Sequence, residues 1–288
     1  IGEMATYDAF AFAASAGNRT QQIALTVGPL SVSVRSPMTL AMGIASVADL
    51  TGRPTGLALG ASSTVVVEEW HGRERIRTAK HLAETTQIVR GLLRGDKVNF
   101  QGEMASCSGY RLRLDAPHSQ LTVAAFGPAA VRVAARHSDR MLHNKVTPES
   151  LARLRAQMEA AAGEAGREPP KLAVWLCLAV DPSRETIEQL KRAVVGYLAA
   201  PGYSEMMSAA GFDELVQFAK TRPHPAELLA AMPDELVSSI GLVGDLDQVE
   251  QRLEAYRQAG ADEICLVPAT AGDPGGAASL RALQGKGS

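Results

Sequence analysis

Between Leu121 and Asn144 the chain reads LTVAAFGPAAVRVAARHSDRMLHN, a strand, a turn, a helix and a second strand with almost no slack. The apolar run Leu121–Phe126 has strand length and stops at Gly127-Pro128, and Val131, Ala134 and Ala135 then recur at helical spacing. Proline suits the first helical position, where its missing N–H would have had no partner. The N–H groups of Gly127, Ala129 and Ala130 then lie at the positive end of a helix dipole, beside the C-terminal edge of a strand. That arrangement is a seat for an anion, and phosphate is its commonest occupant. A βαβ unit and a phosphorylated ligand are both predicted.

The same alternation continues along the chain. Strand-like runs fall at 22–28, 55–60, 140–144, 172–180 and 263–268, with helical periods at 38–50, 79–93, 128–137, 148–165 and 246–259. Thr147-Pro148 and Asp181-Pro182 read as helix starts, and Asp245 with Gln248 as a capping box. On that last helix Val249, Leu253 and Tyr256 share a face, and Gly260 closes it. Alternation of this kind predicts a parallel sheet covered by helices. Two segments break it: Val98–Leu114 reads as a hairpin insertion, and 183–239, punctuated by prolines, as a helical excursion at a barrel mouth. Counting strands suggests an eight-stranded α/β barrel whose first strand and helix precede residue 1, the stub Ile1-Gly2-Glu3 being the end of the second strand.

With 288 residues and 46% hydrophobic content, one large barrel domain spanning 1–288 is within reach. A net charge of −2 carries no electrostatic footprint for nucleic acid or an anionic membrane. No apolar run is long enough to span a bilayer, and the N-terminus is no signal peptide. Cys107, Cys177 and Cys265 stand far apart, as small hydrophobes of a reducing cytosol, and the six histidines show no metal-ligand spacing. A cytoplasmic protein without metal is predicted, and the excess of arginine over lysine suggests a GC-rich bacterial genome. GxSxG, HExxH and Walker patterns are missing, which removes the common hydrolase and nucleotide-hydrolase readings, and no GxGxxG Rossmann pattern accompanies the glycines of LALGASS.

Four blocks in order resemble the luciferase-like flavin and deazaflavin oxidoreductases: GEMATYDAFAFAASAGNRTQQIALTVGPL, RSPMTLAMGIASVADLTGRPTGLALGASS, AAFGPAAVRVAARHSDRMLHN and GLVGDLDQVEQRLEAYRQAGADEICLVP. The resemblance implies a (β/α)8 TIM barrel with insertions, and AAFGP with its alanine-rich helix is most similar to the branch using coenzyme F420, as in methylenetetrahydromethanopterin reductase. It implies hydride transfer between the deazaflavin and a small organic substrate, in a homodimer formed through early helices. The alternatives are a monooxygenase using reduced FMN, and a barrel without cofactor that serves as a binding subunit.

The residues that would carry this reading are few. The resemblance places Gly28-Pro29, at the end of a strand, on a bulge behind the cofactor's central ring, with a cis or an ordinary trans bond. Gly60, Ser62 and Ser63 read as cofactor contacts or as a polar loop. Phe126, Gly127, Pro128 and Ala129 form the phosphate seat, and of the neighbours His143 and Asn144 strand alternation assigns Asn144 to the cofactor side. Glu3 and His71 are the candidate catalytic groups, each with a structural alternative, and Arg73 and Arg75 could offset negative charge near His71. His81 reads as part of a solvated helix face. No side chain stands out as the acid, since the cofactor carries the difficult chemistry.

Overall fold

The computed structural model describes residues 6–114, 116 and 118–284. They gather into two compact units, one holding residues up to 141 with 158–170, the other 142–157 and the chain from 171 onward.

In the first unit the order is α1 (Ala9–Asn18), β1 (Leu25–Ser31), α2 (Pro37–Thr51), β2 (Thr55–Gly60), a π-helical turn (Val65–Trp70), α3 (Thr78–Leu93), the hairpin β3 (Val98–Gln101) and β4 (Ser106–Tyr110), then β5 (Leu121–Ala124) and α4 (Pro128–His137). β1 pairs parallel with β2, and β2 with β5, so Ser31, Gly60 and Ala124 end their strands at one rim. β2 is buried at every position, the signature of a parallel strand covered on both faces. Capping follows the sequence: the Ser36 hydroxyl accepts from Thr39 N–H ahead of Pro37, and α2 stops at Gly52, whose φ is 62°. The apolar side of α3 buries Leu82, Ile88, Val89 and Leu92.

The hairpin hangs on one carboxylate. Glu84, only 6% exposed, accepts N–H bonds from Glu103 (3.0 Å), Met104 (2.7 Å) and Ala105 (2.8 Å) in the β3–β4 turn. Burial raises its pKa, but the three N–H donors outweigh that and hold it below the usual carboxylate range. A Cβ on Gly102 would sit 2.3 Å from the Glu84 carboxylate, so the turn must pass there without a side chain. Glu84→Ala is expected to cost about 2 kcal/mol, because three part-buried donors lose a charged acceptor. A depressed folded pKa stabilises above the unfolded pKa and loses that contribution as pH falls through the folded one. Urea titrations between neutral and acid pH check this: the parent should weaken below the usual carboxylate range more steeply than Glu84→Gln.

β6 (Arg140–Asn144) and α5 (Pro148–Glu164) lead on to the second unit. There follow β7 (Lys171–Val180), α6 (Arg184–Val195), α7 (Tyr203–Met207), a π-helical turn (Ser208–Phe212), α8 (Asp213–Lys220), α9 (Pro225–Ala231), α10 (Asp234–Ser239), β8 (Leu242–Gly244), α11 (Leu246–Gln258), β9 (Glu263–Pro268) and α12 (Ala277–Gln284). β7 pairs parallel with β9 from Ala173 to Leu178 and with β8 from Leu178 to Val180. The capping box at Asp245 and Gln248 forms in both directions.

Three expectations shift. The strand placed at 22–28 runs instead from Leu25 to Ser31, continuing through Gly28-Pro29 because the register slips there and proline need not donate. The helix after β7 is capped by Ser183, whose hydroxyl accepts from Thr186 N–H; Asp181 lies outside it at φ 48°. The three-residue β8 has no counterpart among the predicted strands, since three residues carry no period.

Candidate active site

The first-unit rim is built on close backbone approach. Gly28 has φ +121°, and a Cβ there would lie 2.2 Å from the Ala58 carbonyl oxygen of β2. No side chain fits between these strands. The Gly28-Pro29 bond is cis, and the β1 register slips between Val27 and Leu30. A Cβ built on Gly60 would stand 3.4 Å from Pro29 Cβ and 3.6 Å from Ala124 Cβ. Pro29, Gly60 and Ala124 therefore form one low floor of carbon across three strand ends. Beside it Ser31, paired in register with Gly60, has a buried hydroxyl with no hydrogen-bond partner among the described residues. An unsatisfied buried hydroxyl costs about 1–3 kcal/mol, which a ligand acceptor or donor would relieve.

The loop after β2 is held by its own groups. Ser63 Oγ accepts from Val66 N–H at 3.2 Å, and Arg75 Nε donates to the Ser62 carbonyl at 2.9 Å. Ser62 has φ 59°. His71 is exposed where the π-helical turn ends. Histidine 81 differs from expectation: it is half-buried with Nδ1 3.4 Å from Ser33 Oγ, on the loop that follows β1. Burial lowers its pKa, opposed by the Glu84 charge.

After β5, Phe126 is half-buried and Gly127 (φ 84°, ψ 155°) caps α4 with Pro128 at its first position. The ten residues of α4 bury Val131, Val133, Ala134 and Ala135 and leave Ala129 exposed. First-turn N–H groups have no acceptor within a helix, and the dipole makes them attractive to negative charge.

Asn144 ends β6 and belongs to the second unit, where its Oδ1 accepts from the Tyr203 hydroxyl of α7. Tyr203 meets Tyr197 edge-on at 4.9 Å between centroids, and Lys145 Nζ lies 4.9 Å from the Tyr197 ring centre. Burial, reinforced by Tyr197, raises the Tyr203 pKa far above its usual value, so the hydroxyl stays a donor. Tyr203→Phe should therefore cost about 1 kcal/mol by removing that bond, measured by thermal melting; an unchanged melting temperature would leave Asn144 unheld. The remaining candidate, Glu3, lies outside the described residues.

Residues 1–263 match the family model described as luciferase-like monooxygenase. The chain belongs to the luciferase-like monooxygenase family. The 5,10-methylenetetrahydromethanopterin reductase of Archaeoglobus fulgidus is 23% identical to this luciferase-like chain over 276 residues, covering 92% of it and 81% of the reductase. An F420-dependent glucose-6-phosphate dehydrogenase of Mycobacterium avium is 32% identical over 139 residues, 45% of this chain and 40% of its own. Among solved structures, the coenzyme F420-dependent tetrahydromethanopterin reductase of Methanopyrus kandleri superposes with a TM-score of 0.77 at 17% identity, covering 91% of this chain and 82% of the reductase. The fold is thus the α/β, TIM-barrel type of the luciferase-like enzymes.

Sequence reasoning about this luciferase-like chain missed Ser31, Ser33, His81 and Tyr203. A lone serine at a strand end carries no signal, and the helical period of 79–93 shows which residues alternate but not that the His81 face meets a loop. Tyr203 lies in the excursion, where proline punctuation hides the packing.

Proposed function

We propose that the chain is a coenzyme F420-dependent oxidoreductase acting on a small organic molecule. The observation that carries a flat-ringed cofactor is the carbon floor of Pro29, Gly60 and Ala124 beside the unpartnered Ser31 hydroxyl. A flat tricyclic ring suits such a floor, and a phosphate-bearing tail suits Gly127, Pro128 and Ala129 at the start of α4. The likeness to the methylenetetrahydromethanopterin reductase along most of both chains supports the choice of deazaflavin.

When bound, the deazaflavin supplies a ring carbon that accepts or releases hydride. The protein's part is orientation and exclusion of water. Gly28 and Pro29 set the height of the floor, Gly60 leaves it bare, and Ser31 offers a hydroxyl at its edge. Ser62 and Ser63 line the loop beyond, and Phe126 shields the approach to the α4 terminus. Asn144, oriented by Tyr203, is a further proposed cofactor contact. Glu3 and His71 are the proposed proton carriers.

The reading takes residues 1–288 as one barrel domain and the protein as a cytoplasmic bacterial homodimer. Cys107, Cys177 and Cys265, none of them in a disulfide, fit a reducing compartment. Exposed Phe12 on α1 and Met42 and Leu50 on α2 fit self-association, which light scattering after gel filtration checks. No helix among the described residues is long and apolar enough to cross a membrane.

The deciding experiment titrates the purified full-length protein with coenzyme F420 and follows ligand fluorescence. Saturable binding with Kd in the micromolar range is expected, and none at about 50 μM would overturn the proposal. A preparation that carries FMN and consumes oxygen with substrate would replace it with a flavin monooxygenase.

A further inference from the structure

The second unit contains a cleft of about 400 Å³ between the first turns of α5, the π-helical turn at Ala209 and Ala210, the end of α10 and the middle of α11. Two arginines face it. Arg252, on α11, donates to the Ser239 carbonyl and lies 5.6 Å from the Tyr256 ring centre, so its guanidinium is fixed before any ligand arrives. Its Nε is buried with no partner among the described residues. Tyr256 is anchored in turn by donating to the Val146 carbonyl at 2.7 Å. The second arginine, Arg153, folds back toward the start of α5 and donates to Ser150 Oγ at 2.7 Å. That hydroxyl is buried and also accepts from Thr147 Oγ1 at 3.2 Å.

This placement runs against the usual preference. A helix N-terminus carries partial positive charge and favours acidic side chains, yet Arg153 brings a full positive charge back to it. Neither Arg153 nor Arg252 forms an ion pair with a carboxylate among the described residues. One acid, the exposed Glu149, stands on the wall, so two guanidiniums and a helix terminus oppose a single carboxylate. An oxyanion seated in the cleft would meet directional donors from both guanidiniums. The cleft is larger than a bare ion needs and falls in the size range of small-molecule sites.

We propose that this cleft binds a small molecule through an oxyanion, held between Arg153 and Arg252 over the start of α5. The shared chemistry is that of a phosphate monoester or a carboxylate. The cleft is lined wholly by second-unit residues, and the proposal does not depend on the F420 assignment.

Calorimetric titration of the full-length protein with inorganic phosphate, and separately with succinate, tests it against chloride at matched ionic strength. Saturable binding with Kd in the millimolar range is expected for at least one, and the stronger of the two names the class. Arg153 is exposed, so Arg153→Gln should melt like the parent and weaken that binding about tenfold. Arg252→Lys keeps the charge but loses the fork, and should weaken it by a smaller factor. Coenzyme F420 affinity, measured on the same Arg153→Gln protein, should not move. Absence of saturable binding to either probe at about 20 mM, equal affinity in Arg153→Gln, or a parallel loss of F420 affinity would each overturn the proposal.

Discussion

Gly28→Ala is expected to unfold at much lower urea than the parent, with a loss of about 4 kcal/mol. Two costs combine. The φ of +121° belongs to a region that L residues rarely adopt, and the new methyl would begin 2.2 Å from the Ala58 oxygen and 2.9 Å from its carbonyl carbon. The obstacle is main chain, in a strand buried at every position and paired on its far side with β5, so it cannot swing aside as a flexible side chain would. Gly52→Ala provides the comparison: its φ is also positive, at 62°, but nothing lies within 4 Å of the added carbon. That variant should lose only about 1 kcal/mol. Equal midpoints for the two variants would show that β1 and β2 can part at Gly28 without penalty.

Gly127→Val should stay folded yet bind coenzyme F420 about a hundredfold more weakly, a change of about 2.7 kcal/mol. No atom lies within 4 Å of a Cβ built at Gly127, so the effect is not a collision. Its φ of 84° and ψ of 155° fall in a region open essentially to glycine alone, and a β-branched residue must leave it. Leaving it turns the peptide that launches α4 and re-aims the N–H groups proposed to hold phosphate. Gly166, with φ 64° and free space around it, separates stability from binding. Gly166→Val should lower the melting temperature comparably while F420 fluorescence titrates as in the parent. If Gly127→Val also titrates as in the parent, the anion sits elsewhere.

The parts of the fold legible in the sequence are those where period and punctuation agree. Thr55–Gly60, Arg140–Asn144 and Glu263–Pro268 were each bounded by turn residues and occur as read. α4 likewise begins at Pro128 and ends at His137. Legibility failed where tertiary contact overrides local pattern. Pro29 looks like a stop, yet β1 passes through it because the neighbouring strand accommodates a bulge. Glu84 reads as one more charge on an amphipathic helix, and only the hairpin folded over it makes it a buried acceptor. His81 moved from solvent to a half-buried partner of Ser33 for the same reason. Gly28 and Gly127 of the candidate site were visible because positive φ, joined at Gly28 by close backbone approach, selects that residue. Ser31 was not, because its distinguishing property is a partner it lacks.

The floor of Pro29, Gly60 and Ala124 has a consequence for how a cofactor can be told apart from its relatives. A flavin and a 5-deazaflavin differ at one ring position, nitrogen in the first and carbon in the second. Telling them apart by direct contact needs a donor aimed at that atom in the ring plane. None of the side chains of Pro29, Gly60 and Ala124 supplies such a donor. The surface is thus indifferent to the atom that separates oxygen-using chemistry from hydride transfer, and discrimination falls to whatever meets the ring at its edge and the tail at its phosphate. On the proposed reading, cofactor choice in this chain is set at the rim and at the tail and not at the floor.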